Sequence, residues 1–180
     1  MSAEEVISKI RGRISPYVTD PYADNTAALE LRDKGKIANW EPFKGDSEET
    51  VSEVEADLGV KFPDVYRQFL LTMGKACSPL FTGSDLGSAG TLKLLKEEVQ
   101  EWFLEDEIES LNPIPQDAVV ILTHQGYTCV FFIPGESDYD PPMYQYTETD
   151  KEYQKVSDTF SLFINAELDM MDKLRDSKNA

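Results

Sequence analysis

The sequence predicts a mixed fold in which amphipathic helices enclose a central antiparallel hairpin, and three observations predict it. Residues 58–74, LGVKFPDVYRQFLLTMG, place Tyr66, Phe69, Leu70 and Met73 at the three-and-four spacing of a single helical face. Phe160, Phe163, Ile164, Leu168 and Met171 repeat that spacing near the C-terminus. Between them, Ala118 to Thr123 and Tyr127 to Ile133 are β-branched and aromatic runs of strand length, with His124, Gln125 and Gly126 at the turn. Both runs are nearly continuous in apolar residues, which predicts a hairpin covered on both faces.

Taken in order, Val6, Ile7, Ile10 and Ile14 predict a short amphipathic helix, broken by Pro16, Asp20 and Pro21. The polar stretch that follows reads as an extension or flexible arm, with Trp40 and Phe43 as its docking residues. Asp46 or Ser47 caps the next helix, Glu49 completes a capping box with Asp46, and Val51, Val54 and Leu58 form its buried stripe. Gly59 closes that helix in left-handed geometry, Pro63 opens the next at its first helical position, and Gly74 stops it. The run ACSPLFTGSDLGSAG predicts a short strand at Pro79 to Phe81 and then an exposed loop. Leu92 to Leu104 predicts a helix with Leu95, Val99, Trp102 and Phe103 inward. Its outer side and tail are acidic: Glu97, Glu98, Glu101, Glu105, Asp106, Glu107 and Glu109. Pro134 ends the hairpin, GESDYDPP forms a loop, and Met143 to Thr147 predicts another strand. Lys173 and Arg175 complement the dipole of the last helix. The expected organisation is an N-terminal extension over residues 1–44, partly helical or flexible, a domain over 45–176, and a tail over 177–180.

Composition narrows the function classes. The chain has 180 residues, with 41% hydrophobic and 11% aromatic, enough for a core in one domain. It carries 34 acidic and 17 basic residues, a formal charge of −17. Such a field repels nucleic acid and anionic membranes, and it speeds encounter with a basic partner. It also serves solubility, so both readings stand at this point. The N-terminus lacks the pattern of a secretory leader, and no apolar run reaches the ~20 residues that cross a bilayer. Cys77 and Cys129 are too few for a disulfide framework and too isolated for zinc. They read as reduced, buried thiols of a cytoplasmic protein, with a bridge between them as the alternative.

Reactive constellations are scarce. His124 is the one histidine, so no histidine cluster exists to hold a metal. As a catalytic base it would need a nucleophile and an orienting partner, and a hairpin-turn histidine is more often structural. Asp138 and Asp140 lack the spacing of a calcium loop, and Gly83, Gly87 and Gly90 lack that of a phosphate-binding loop. No catalytic residue, metal or cofactor is expected.

In their order along the chain, these segments resemble the SUKH superfamily, which includes fungal cell-wall assembly regulators and bacterial immunity proteins that neutralise polymorphic toxins. The helix pair with Leu58, Gly59, Phe62, Pro63, Tyr66, Phe69, Leu70 and Gly74 carries the first match. LFTGSDL at Leu80 to Leu86, HQGY at His124 to Tyr127, DPPMYQY at Asp140 to Tyr146 and DTFSLFI at Asp158 to Ile164 carry the rest. The resemblance spans about residues 46 to 171; Phe62 stands where many members have an aliphatic residue, and Met73 where asparagine is common. It implies an α+β domain, a mostly antiparallel sheet with helices packed around it, that acts by binding protein. In the bacterial branch that means holding a toxin, often a nuclease, inactive; an acidic surface would then occupy a cationic cleft. Candidate contacts are Asp85, Glu101, Glu105, Asp138, Tyr139, Asp140 and Tyr144, selected as acidic or aromatic residues of loops and the acidic helix. The alternative is a regulatory scaffold of the cell-wall assembly type that binds several cellular proteins.

Overall fold

The computed structural model describes residues 1–20, 23–38, 40–76, 80–105, 114–148 and 152–178, with the side chains of 103–105 and 178 outside that description. Among the described residues, six α-helices surround one five-stranded antiparallel sheet: α1 (Ala3–Ile14), α2 (Thr26–Asp33), α3 (Glu48–Leu58), α4 (Asp64–Met73), β1 (Asp85–Leu86), α5 (Leu92–Glu105), β2 (Val119–His124), β3 (Thr128–Phe132), β4 (Met143–Thr147), β5 (Gln154–Ser157) and α6 (Phe160–Lys178). The strands run as a meander in the order β1-β2-β3-β4-β5. This is an α+β fold.

Two apolar layers cover the two faces of the sheet. The larger joins Ile7, Ile10 and Ile14 of α1, Val51 of α3, Tyr66, Phe69 and Leu70 of α4, and Phe160, Ile164 and Leu168 of α6 to Val119, Ile121, Val130, Phe132 and Met143 of the strands. The smaller joins Leu95 and Val99 of α5 to Val120, Cys129, Phe131 and Tyr146. A bulge between Val120 and Leu122 shifts the register, so Ile121 and Leu122 both contribute to the larger layer. Period-two alternation cannot reveal such a shift. Cys129 is a free, buried thiol, pushed up to about 12 chiefly by burial. Cys77 lies outside the described residues.

The two-helix segment α3–α4 forms as its residues dictate. Ser47 Oγ accepts from the Thr50 amide, and Gly59 closes α3 with φ of 67°. Glu55 then accepts from the Phe62 amide at 2.8 Å and from Arg67 Nε at 3.3 Å, tying the hinge to α4. Pro63 sits at the N-cap and not the first helical position, and it has no side-chain cap of its own. Backbone carbonyls supply the cap instead: Asp64 and Val65 donate to the carbonyls of Asp138 and Tyr139 at 3.0 and 2.8 Å. Gly74 closes α4 in right-handed geometry, and a Cβ there would lie 2.7 Å from Asp46 Oδ2 and from the Leu70 carbonyl oxygen. The stop is a close approach of chains.

Two strands differ from expectation. Leu80 and Phe81 lie in a turn, with Phe81 at φ of 51°, a left-handed conformation that a strand cannot contain. The pairing strand is the two-residue β1 that follows, while Pro79 lies outside the described residues. β5 has a polar, mostly exposed sequence and no apolar alternation to announce it. It pairs with β4 through Tyr144 to Lys155 and Gln145 to Gln154.

The N-terminal helix is built into the larger layer. Ser2 and Glu5 form a reciprocal capping box at its start. Arg13 reaches α6, donating to Asn165 and to Asp169 at 2.7 Å and to Asp172 at 2.8 Å. Phe43 packs against the same layer and carries the Arg11 guanidinium 4.9 Å above its ring.

Candidate functional site

β1 forms one edge of the sheet and positions the most strongly featured surface. Asp85 pairs with Thr123 and Leu86 with Leu122, and the Gly87 amide donates to the carbonyl of the bulged Ile121 at 2.8 Å. Next to this strand lies a groove of about 610 Å³, lined by Gly74, Lys75, Ala76, Ser84, Asp85, Leu86, Thr91, Leu94 and Leu95. Leu95 is buried beneath it, whereas Leu94 stands 61% exposed. Lys75 spans from the rim to Asp46 Oδ1 at 3.7 Å; the Asp46 side chain is fully buried and also accepts from the Ala89 amide at 2.9 Å.

Three carboxylates gather on the α5 side of β1. The Glu98 carboxyl is held above its ordinary range, first by partial burial and then by the negative charges of Asp85 and Glu101. Two of the residues singled out in the sequence, Asp85 and Glu101, thus flank a third that was seen only as part of an acidic helix. Because the folded state binds the Glu98 proton more tightly than an ordinary glutamate, ionising it costs stability. That cost is present above the raised pKa and absent below the ordinary one. Glu98→Gln is therefore expected to raise Tm at about pH 7 and to leave it unchanged near about pH 4, in thermal melts at the two values. An equal shift at both would assign the effect to packing.

The other candidates are distributed elsewhere. Glu105 ends α5, and its side chain lies outside the description. Asp138 and Tyr139 are exposed, and their carbonyls cap α4. The Tyr139 hydroxyl donates to the Met1 carbonyl. Asp140 caps α6: its carboxylate accepts from the Ser161 amide at 3.1 Å and from the Ser161 hydroxyl at 2.6 Å. The segment 138–140 thus fastens two helix starts to one loop, a structural task. Tyr144 is half-buried in β4, three strands away from β1, stacked on Phe131, edge-on to Tyr153 and donating to Glu136 at 2.8 Å. Its hydroxyl is pushed up to about 12 by partial burial and the Glu136 carboxylate. Among the seven, Asp85 and Glu101 share a surface.

His124 has a partner that sequence spacing does not show. Its Nδ1 lies 2.9 Å from Ser84 Oγ, because the register that pairs Asp85 with Thr123 brings Ser84 opposite His124. The imidazole meets the Tyr127 ring edge-on at 5.8 Å. Nucleophilic catalysis needs a third group to orient the base, and among the described residues no carboxylate hydrogen-bonds this ring. The pair links the start of β1 to the hairpin turn, where Gln125 and Gly126 both take positive φ.

A scan against protein-family models matches residues 45–166 to the SMI1 / KNR4 family (SUKH-1). The chain belongs to this family. The match runs from just before α3 into α6, so it contains the α3–α4 pair, the β1–α5 face and the whole sheet. No curated protein matches the chain. SUKH-1 membership identifies a protein-binding domain in general, in a family that is generally non-catalytic. Among the described residues no helix is long and apolar enough to cross a membrane, and no group of three or more histidine, cysteine or acidic side chains is placed to hold a metal ion.

Proposed function

We propose that this SUKH-1 domain is an immunity-type protein of the cytoplasm that binds a basic toxin, a nuclease among the candidates, through the β1–α5 face. The observation that carries the reading is the grouping of Asp85, Glu98 and Glu101 beside the exposed Leu94. Like charges held together cost folding free energy, and a cationic partner relieves that cost on binding. An exposed apolar side chain bordered by charge matches the composition of protein interfaces better than that of an inert surface. The net charge of −17 adds long-range attraction for a cationic cleft and makes association fast and salt-dependent.

The test is co-purification of the full chain with the product of a neighbouring toxin gene, at low and high salt. A complex that weakens about tenfold or more across that range, and further in an Asp85→Lys, Glu98→Lys, Glu101→Lys variant, is the expected result. A salt-insensitive complex, or one indifferent to the three substitutions, would overturn the assignment. Inhibition of the toxin's activity separates immunity from scaffolding, since a scaffold of the cell-wall assembly type would bind without inhibiting.

A further inference from the structure

Among the described residues β1 pairs with β2 along one side only, and its other side faces the groove. In an antiparallel ladder the backbone groups of successive residues point alternately toward and away from the neighbouring strand. With the Gly87 amide bonded to Ile121, Asp85 bonds toward Thr123, and the N–H and C=O of Leu86 turn toward the groove. An edge of this kind is a template for another strand unless something covers or charges it. Here the walls leave room: Thr91, just before α5, and Leu94 in its first turn form one, and Gly74 to Ala76 form the other. Side chains alternate across a sheet, so Asp85 lies on the α5 side, with Glu98 and Glu101, while Leu86 packs toward the larger apolar layer.

We infer that the open edge of β1 and its groove receive an extended, basic segment of the partner protein by β-strand addition. The main chain of that segment bonds to the N–H and C=O of Leu86. An apolar side chain rests on Leu94, and lysine or arginine side chains of the same segment meet Asp85, Glu98 and Glu101. This rests on the reading of a cationic protein partner and adds its backbone conformation, its side-chain pattern and its point of entry. A second copy of the chain is a poor occupant, because an edge-to-edge pair would set the same three carboxylates of both copies near one another under a net charge of −17 each. The groove is short, so recognition by main chain is confined to a few residues, and charge sets the specificity.

The experiment uses the full-length, isotope-labelled chain and three synthetic peptides, with binding followed by amide chemical shifts. The first is acetyl-KVKVKVK-amide; the second has the same sequence with alternate backbone amides N-methylated; the third is acetyl-EVEVEVE-amide. The expected result is salt-dependent binding of the first, with shifts centred on Ser84 to Gly87 and Leu94 and slowed exchange of the Leu86 amide proton. The N-methylated peptide keeps charge and side chains but loses ladder bonds, and is expected to bind about tenfold more weakly. The glutamate peptide is expected not to bind. Equal binding of the N-methylated peptide, shifts centred away from β1, or self-association through β1 without peptide would each overturn strand addition while leaving the acidic-surface reading intact. If the lysine peptide shows no salt-dependent binding at any site, both readings fall.

Discussion

A chain that starts at residue 45 is expected not to reach a cooperative fold, although that is where the family match begins. Val6, Ile7, Ile10 and Ile14 of α1 are each at most 8% exposed and belong to the larger apolar layer. Burying an aliphatic side chain contributes ~1.5–3 kcal/mol, so these four supply about 6–12 kcal/mol against a typical domain stability of about 5–15 kcal/mol. The ordering entropy of α1 offsets part of that. Removing the helix also uncovers the surfaces of α4 and α6 on which it packs, and leaves Asn165, Asp169 and Asp172 without Arg13. Loss of near-ultraviolet circular dichroism and of a cooperative melt in the 45–180 fragment is the expected result. Partial recovery when a peptide of residues 1–15 is added would locate the effect in α1. A fragment that melts cooperatively within a few degrees of the full chain would show that the helix is an appendage.

Tyr66→Ala is expected to remove about 3–5 kcal/mol, a large share of the total, because its ring stands at the centre of the aromatic cluster. The ring lies 5.4 Å from Phe62, 6.4 Å from Phe69, 5.1 Å from Phe132 and 5.2 Å from Phe160, mostly edge-on. These partners come from the hinge before α4, from α4 itself, from β3 and from α6, so one truncation loosens the packing of the helices on the sheet. The hydroxyl is different. It is buried with no hydrogen-bond partner among the described residues, and burial together with the Asp46 carboxylate raises its pKa. Tyr66→Phe keeps the ring and removes the orphaned group, so it is expected to be neutral or stabilising. Urea titrations of the two variants check this. A midpoint for the alanine variant close to that of the natural chain, or a phenylalanine variant as damaged as the alanine one, would refute the account.

The elements legible in the sequence were those whose pattern is set by a neighbour a few residues away. α4 and α6 announce themselves through buried residues one helical turn apart, and α3 through Ser47 at its start and Gly59 at its end. The β2–β3 hairpin shows because its turn needs two residues with positive φ and its strands are apolar on both faces. β1 and β5 were invisible for the opposite reason: each is too short or too polar to show an apolar alternation and exists through pairing with a strand already formed. Asp138 to Asp140 reads from sequence as an exposed loop, and that Asp140 and two carbonyls in that loop cap α6 and α4 is not legible there. Caps of this kind join residues separated by tens of positions, a range at which spacing carries no signal.

The family, the helix and hairpin framework and the strong negative charge were decided by local pattern and composition, because periodicity, capping and side-chain ionisation act within a few residues. The grouping of Asp85, Glu98 and Glu101, the pairing of Ser84 with His124, the bulge at Ile121 and the place of α1 in the core were decided by tertiary structure alone. Each depends on the register of neighbouring strands, β1 against β2 or β2 against β3, or on which helices pack together on one face of the sheet. Register is selected by the summed burial of a whole face, a quantity that no single segment of chain contains.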